Sequence, residues 1–168
     1  MNVSESLIVI NTLAVKRAAL RGGAWSAMGK KVEKYLMITL CKLYKVNDKY
    51  YNAEHFVRNR KLAFDREIDF YLKNNGKQYK CEVKLMGQGN PESADAIIAR
   101  DSNVFVADTL STQNKNQCDA LGVSWVALKD PQGYKRFKLV LDRFGIPYID
   151  YNGTDINTDI ENIFESIF

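Results

Sequence analysis

Three residues near the middle of the chain carry side chains that suit the hydrolysis of phosphate esters. Glu82 and Lys84 are two positions apart and follow Asp69 along the chain. Side chains two apart on a strand point to one face, so Glu82 and Lys84 would project together. Two carboxylates converging there, with an ammonium group beside them, could hold a hard divalent cation with open water positions. The cation would polarise a phosphate and lower the pKa of a bound water, while Lys84 would stabilise developing negative charge or orient that water.

The segment that holds these residues has the pattern of two paired strands. Residues 66–72 and 78–85 each alternate between apolar and polar side chains. The Asn-Asn-Gly sequence at 74–76 favours a tight turn between them, because Asn and Gly tolerate positive φ. We therefore predict an antiparallel hairpin over 66–85, with the three candidate residues on its polar face. The alternative for these residues is an exposed cross-strand ion pair, which is worth roughly 0.2–1 kcal/mol.

Helical and strand-like segments alternate along the chain, without repeats or low-complexity tracts. Strands separated by helices after an initial hairpin imply a mixed sheet that is flanked by helices. We therefore predict an α/β fold, a single domain over residues 1–168, around a central mixed sheet of about five strands. The predicted helices are one from Ser4 that ends at Gly22 and others over 26–44, 91–101, 112–121, 134–144 and 155–168; the predicted strands cover 54–57, 66–72, 78–85, 104–107 and 123–128.

The order and spacing of the candidate residues resemble those of the PD-(D/E)xK nuclease superfamily. Asp69 takes the place of the first acidic residue, Glu82-Val83-Lys84 takes that of the (D/E)xK element, and Ile68 stands where the usual motif has proline. The longer run EVKLMGQGNPESAD from Glu82, continued by the segment 104–108, is more specifically similar to type II restriction endonucleases that resemble CfrBI. The resemblance covers roughly residues 28–128, and it implies a restriction-endonuclease-like core.

The resemblance implies a role for each matching residue. Asp69 and Glu82 would be ligands of Mg²⁺, which Mn²⁺ can replace, with the main-chain carbonyl of Val83 as a third ligand. Lys84 would be the catalytic lysine. Glu33, on the helix before the hairpin, would supply a further acidic group; its alternative is an exposed helical Glu that pairs with a nearby Lys. The reaction would be hydrolysis of a DNA phosphodiester, leaving a 5′-phosphate and a 3′-hydroxyl.

The predicted partner is double-stranded DNA, cut at a specific sequence. Of the 24 Lys and Arg residues, 17 lie in the segment 1–84 against only 8 of the 20 acidic residues, and a basic half favours a polyanion. Cutting both strands needs two active sites, and 168 residues leave little room for a separate recognition domain. The chain would therefore act as a homodimer, which suits a palindromic site, or pair with a larger recognition subunit.

Composition argues against several other classes of protein. With 46% hydrophobic and 26% charged residues, the chain can form a packed core. No apolar run approaches the roughly 18 residues of a membrane span. The run from Leu7 to Val15 follows an acidic residue, whereas a signal peptide begins with basic ones. The cysteines are too few and too far apart for a disulfide framework, so we expect a cytoplasmic protein with reduced thiols in its core at Cys41, Cys81 and Cys118.

Two other functions are compatible with the same residues. A structure-specific endonuclease, similar to a Holliday-junction resolvase, would share this core and cut branched DNA without regard to sequence. A non-catalytic nucleic-acid-binding protein would use the two acids and the lysine as a surface ion network and leave DNA intact.

The remaining polar residues have lesser predicted roles. His55 is expected to be structural or exposed, and Asp108 to cap the segment that follows the strand 104–107. Ser111 is the predicted N-cap of the helix over 112–121. The polar cluster at 111–116 is either a solvated helix start or a set of base and phosphate contacts. The expected contacts to the DNA backbone are the basic residues Arg58, Arg60, Lys61 and Arg66.

Overall fold

A mixed β-sheet organises residues 25–52, 70–85 and 101–167, the ranges that the computed structural model describes. Its five strands lie side by side in chain order; the first three are antiparallel and the last three are parallel. This arrangement confirms the predicted α/β fold with a mixed sheet. The strands are β1 Tyr51–Asn52, β2 Phe70–Asn74, β3 Lys77–Lys84, β4 Val104–Ala107 and β5 Ser124–Ala127. The helices are α1 Trp25–Leu43, α2 Thr112–Ala120, α3 Arg136–Arg143 and α4 Ile156–Glu165, with 3₁₀ turns at Asp48–Tyr50 and Gly133–Lys135.

The hairpin of β2 and β3 has the tight turn that its sequence predicts. Asn75 and Gly76 both have positive φ, at 49° and 74°, as a two-residue type I′ turn requires. The side-chain amide of Asn74 donates hydrogen bonds to the carbonyls of Phe144 and Gly145, at 2.9 and 2.8 Å. The hairpin is therefore confirmed over 70–85, and its tip is fixed to the end of α3.

One face of the sheet carries the larger hydrophobic core. The side chains of Phe70, Leu72 and Val83 are at most 1% exposed and pack with buried residues of α1, α3 and α4. Helix α1 contributes apolar residues three and four positions apart, which form the stripe expected of a helix packed on a sheet. The buried residues of this stripe are Leu36, Met37, Leu40, Cys41, Leu43 and Tyr44.

The opposite face carries a smaller core beneath α2. Phe105 and Trp125, on neighbouring parallel strands, pack there with Cys118 of the helix. The Ser111 hydroxyl caps this helix by accepting a hydrogen bond from the main-chain amide of Asn114 at 3.2 Å. The chain turns away at Gly122, where φ is +66°. The predicted helix over 112–121 and its cap are confirmed.

Most of the other predicted elements that fall in the described ranges are confirmed with small changes at their ends. The predicted strand 104–107 matches β4, and the predicted helix 134–144 is a 3₁₀ turn followed by α3. Strand β1 was not predicted. The predicted elements at 4–22, 54–57 and 91–101 lie outside the described residues. Cys41, Cys81 and Cys118 are buried and form no disulfide, and no described helix is long and apolar enough to span a membrane.

Gly133 is packed against the end of β5, and we predict that Gly133→Ala destabilises the protein. A Cβ atom there would lie 1.9 Å from the carbonyl oxygen of Ala127, so backbone must move. We expect a loss of about 3 kcal/mol in the free energy of unfolding, measured by urea denaturation. Gly76→Ala is the comparison, because a Cβ there has no atom within 4 Å and the loss, from positive φ, is about 1 kcal/mol. A urea denaturation midpoint for Gly133→Ala at or above that of Gly76→Ala would contradict the prediction that Gly133 leaves no room for a Cβ atom.

Candidate active site

Glu82 and Lys84 form an ion pair at the carboxyl end of β3. The Nζ atom of Lys84 lies 3.2 Å from Oε1 of Glu82. The Glu82 side chain is 0% exposed, whereas that of Lys84 is 33% exposed. A buried carboxylate is costly unless it is paired, hydrogen-bonded or bound to a metal. The structure thus brings these two predicted residues together, with the acid buried and the lysine open to solvent.

The register of the sheet shows which residues of the neighbouring strands lie beside this pair. Glu82 lies beside Phe105 on β4, and Phe105 lies beside Trp125 on β5. The two aromatic residues belong to the smaller core. The acidic group therefore sits at the border of an apolar surface, where a neighbouring charge acts more strongly than it would in water.

The side chains of Val83 and Glu33 lie toward the larger core and not on the face that bears Glu82. Val83 alternates with Glu82, so its side chain is buried in the larger core on the opposite face. Glu33 is half-buried on α1, one turn before Met37, whose side chain is 0% exposed in that same core. Residues four apart share one side of a helix, so Glu33 lies on the side of α1 that faces the sheet. The role of each in catalysis stays a prediction.

Asp108 is a buried acid directly after β4, next to the carboxyl end of β3. The sequence did not predict its position beside the candidate site. Its amide donates to the carbonyl of Lys84 at 3.3 Å, and its carbonyl accepts from the amide of Lys129 at 2.8 Å. The carboxylate accepts from the amide of Thr109 at 3.0 Å and lies 2.9 Å from the Nζ atom of Lys129. The residue therefore joins the ends of β3, β4 and β5. An acid directly after a fully apolar strand was the available signal.

Several predicted residues cannot be placed. Asp69, His55 and the basic cluster at 58–66 lie outside the described residues. Within the described ranges, no group of three or more His, Cys, Asp or Glu side chains is arranged to hold a metal ion. Glu82 is the one predicted side-chain ligand of the metal that the structure describes, so its coordination remains a prediction.

Comparison with known proteins adds one decisive finding. A family model described as CfrBI restriction endonuclease matches residues 1–115, more than half of the chain. The chain belongs to the CfrBI restriction endonuclease family. The match includes the hairpin, β4 and the start of α2, and it ends before β5. No curated protein and no solved structure matches the chain significantly.

Membership of the CfrBI family establishes the general activity. Restriction endonucleases cut double-stranded DNA, so the chain is a nuclease that acts on DNA. The predicted resemblance to restriction endonucleases similar to CfrBI is confirmed. The structure supplies the local chemistry: in this CfrBI-family chain a buried carboxylate and a solvent-accessible ammonium group lie together on the polar face of a hairpin.

The unequal exposure of the ion pair predicts unequal effects of removing each partner. Lys84→Met leaves the Glu82 carboxylate buried beside an apolar side chain, and we expect the free energy of unfolding to fall by about 1–3 kcal/mol. Glu82→Gln leaves Lys84 able to reach water, and its expected effect is below about 1 kcal/mol. Urea denaturation in EDTA would measure both variants. Equal losses of unfolding free energy in the two variants would contradict the prediction that the buried Glu82 carboxylate needs Lys84 to balance its charge.

Proposed function

We propose that the chain is a type II restriction endonuclease that depends on Mg²⁺ and uses a PD-(D/E)xK active site. In this proposal Asp69, Glu82 and the carbonyl of Val83 bind the metal, and Lys84 acts on the phosphate and the attacking water. Glu33 supplies a further acidic group near the site. The observation that carries the proposal is the buried Glu82 carboxylate, 3.2 Å from a lysine that is one-third exposed, in a chain of the CfrBI family.

The donor chemistry fits a hard divalent cation. Carboxylate and main-chain carbonyl oxygens are the ligands that Mg²⁺ prefers. In the described register Phe70 pairs with Cys81. Asp69 precedes Phe70 in the chain and Glu82 follows Cys81, so one further step of the same antiparallel register would pair the two acids. When bound, the cation neutralises charge on the phosphate and makes a coordinated water more acidic.

Lys84 has a position that suits direct contact with the substrate. Its ammonium group is tied to Glu82 but remains one-third exposed, so a phosphate can approach it from solvent. There it would stabilise negative charge as the phosphate becomes five-coordinate, or hold the attacking water through a hydrogen bond. Burial of Glu82 beside the apolar row that begins at Phe105 lowers the local dielectric and strengthens both effects.

The cleavage of two strands requires two copies of this site. We propose that the second copy comes from a homodimer, or that the chain works beside a recognition subunit. Light scattering on the purified chain, with and without duplex DNA, separates the two assemblies. A dimer that cuts both strands unaided supports the first, and a monomer that cuts only after a partner is added supports the second.

Removing either acid should abolish cleavage. We expect wild-type protein to cut long unmodified duplex DNA into discrete fragments with Mg²⁺ and to leave it intact in EDTA. We expect Asp69→Ala, Glu82→Ala and Lys84→Ala to lower the cleavage rate by at least about 10²–10³-fold, because the first two remove ligands of the proposed metal and the third removes positive charge at the phosphate. Gel electrophoresis of timed samples measures the rate.

A distant lysine and a binding assay control this experiment. Lys138 on α3, which pairs with Asp150, can be replaced by alanine without affecting the proposed site. DNA binding by Glu82→Ala should survive or tighten, since loss of a carboxylate removes repulsion from phosphate. Cleavage by Glu82→Ala at the rate of Lys138→Ala would refute the assignment of the site. Cleavage of a branched DNA substrate, with linear duplex left intact, would favour a structure-specific nuclease.

A further inference from the structure

A surface cavity at the tip of the β2–β3 hairpin concentrates positive charge. Its volume is about 300 Å³, and its basic lining residues are Lys49, Lys73 and Lys77. We call it the hairpin-tip cavity. None of these three ammonium groups lies within 4.0 Å of a carboxylate among the described residues. The neighbouring acid, Asp48, accepts a hydrogen bond from the hydroxyl of Tyr51 instead.

Five lysines elsewhere in the described part of the chain are each paired with an acid. The pairs are Lys80–Asp101, Lys84–Glu82, Lys115–Asp130, Lys129–Asp108 and Lys138–Asp150. Three lysines around one cavity repel one another, because like charges at close range disfavour each other. An anionic ligand would relieve that repulsion, and its binding would release counterions.

The cavity lies on the element that bears the candidate active site. Lys73 pairs with Gln78 across the hairpin, and Gln78 is on the same face of β3 as Glu82 because the two are an even number of positions apart. Four residues of strand separate Gln78 from Glu82, which is about 13 Å. That distance matches the axial rise of about four phosphates along one strand of duplex DNA.

The tip is held in place relative to the strands. Asn74 donates to two carbonyls at the end of α3, and the ring of Tyr79 stacks on that of Phe144 with centroids 3.9 Å apart. The main chain of the turn and the side chains of Asn75 and Gln78 line the cavity and carry uncharged hydrogen-bond donors. Positive charge on a fixed element is suited to orienting a substrate, since little ordering is required when it binds.

We propose that the hairpin-tip cavity binds the phosphate backbone of duplex DNA about four nucleotides from the cleaved bond. This inference rests on the proposed function for the position of the cleaved bond, and it assigns residues that the resemblance to nucleases does not name. The contact is independent of base sequence, because lysines recognise phosphate as point charges. Its role is to align the duplex along the hairpin so that one phosphate reaches Lys84.

The test is the salt dependence of DNA binding without metal. Fluorescence anisotropy of a labelled 40-base-pair duplex, titrated in EDTA over a range of salt, gives the slope of log K against log salt. We expect the triple variant Lys49→Gln, Lys73→Gln, Lys77→Gln to lower the magnitude of that slope by about 2 to 3, and to weaken binding about tenfold or more near 0.1 M salt. Circular dichroism verifies that the variant is folded.

A control variant with the same net charge separates a site from a bulk effect. Lys42→Gln, Lys45→Gln, Lys135→Gln removes three lysines from other places: the first two line a different cavity with Ile149, and Lys135 is in a 3₁₀ turn. The inference requires the slope of this control to stay close to that of wild-type protein. Equal slopes for the two triple variants would overturn it, as would wild-type protein that does not bind duplex DNA.

The same proteins show whether the proposed function fails separately. Wild-type protein that cuts DNA with Mg²⁺ while both triple variants bind alike would leave the function standing and overturn the cavity. Wild-type protein whose binding depends on the cavity but that does not cut with Mg²⁺ would support the cavity and refute metal-dependent cleavage. In cleavage assays, the cavity variant should need more DNA for half-maximal rate than the control variant does, because the cavity contributes to DNA binding.

Discussion

The burial of the Glu82 carboxylate is the constraint on which the arrangement around it depends. A charge without access to water must be balanced by nearby groups, and the ammonium of Lys84 at 3.2 Å provides one of them. That balance requires both residues on one face and therefore an undistorted β3. The turn at Asn75-Gly76 and the pairing of β2 with β3 provide it, so local backbone chemistry fixes the electrostatics of the site.

In the parallel half of the sheet, the ends of three strands are aligned beside this ion pair. Main-chain hydrogen bonds run from Asp108 to Lys84 and from Lys129 to Asp108, so the ends of β3, β4 and β5 are aligned. The buried Asp108 carboxylate and the Lys129 ammonium repeat the combination of a hidden acid and an accessible lysine seen on β3. Parallel strands end at one edge of a sheet, which explains why residues distant in sequence gather beside the candidate active site.

Local patterns made much of this structure predictable, whereas pairing between distant residues did not. Alternation with an Asn-Gly turn predicted the hairpin, an apolar run predicted β4, and the Ser111 cap predicted the start of α2, because each depends on neighbours in sequence. The two residues of β1 carry too little pattern to be recognised before they pair with β2. The ion pair of Asp108 and Lys129 depends on the sheet order, which no local signal contains, and Asp69 lies outside the described residues.

The segment that matches the family model does not include all the residues that hold the hairpin in place. The residues that identify the family therefore differ in part from those that stabilise the fold. The match ends at residue 115, yet residues beyond it contact the hairpin and form β5, the last strand of the sheet. Asn74 is fixed by the carbonyls of Phe144 and Gly145. The guanidinium of Arg136 lies 3.3 Å from the ring centroid of Trp125, and its Nε donates to the carbonyl of that residue on edge strand β5. Arg136 thus satisfies one main-chain acceptor of the edge strand, and the last third of the chain both positions the hairpin and contacts the sheet that presents it.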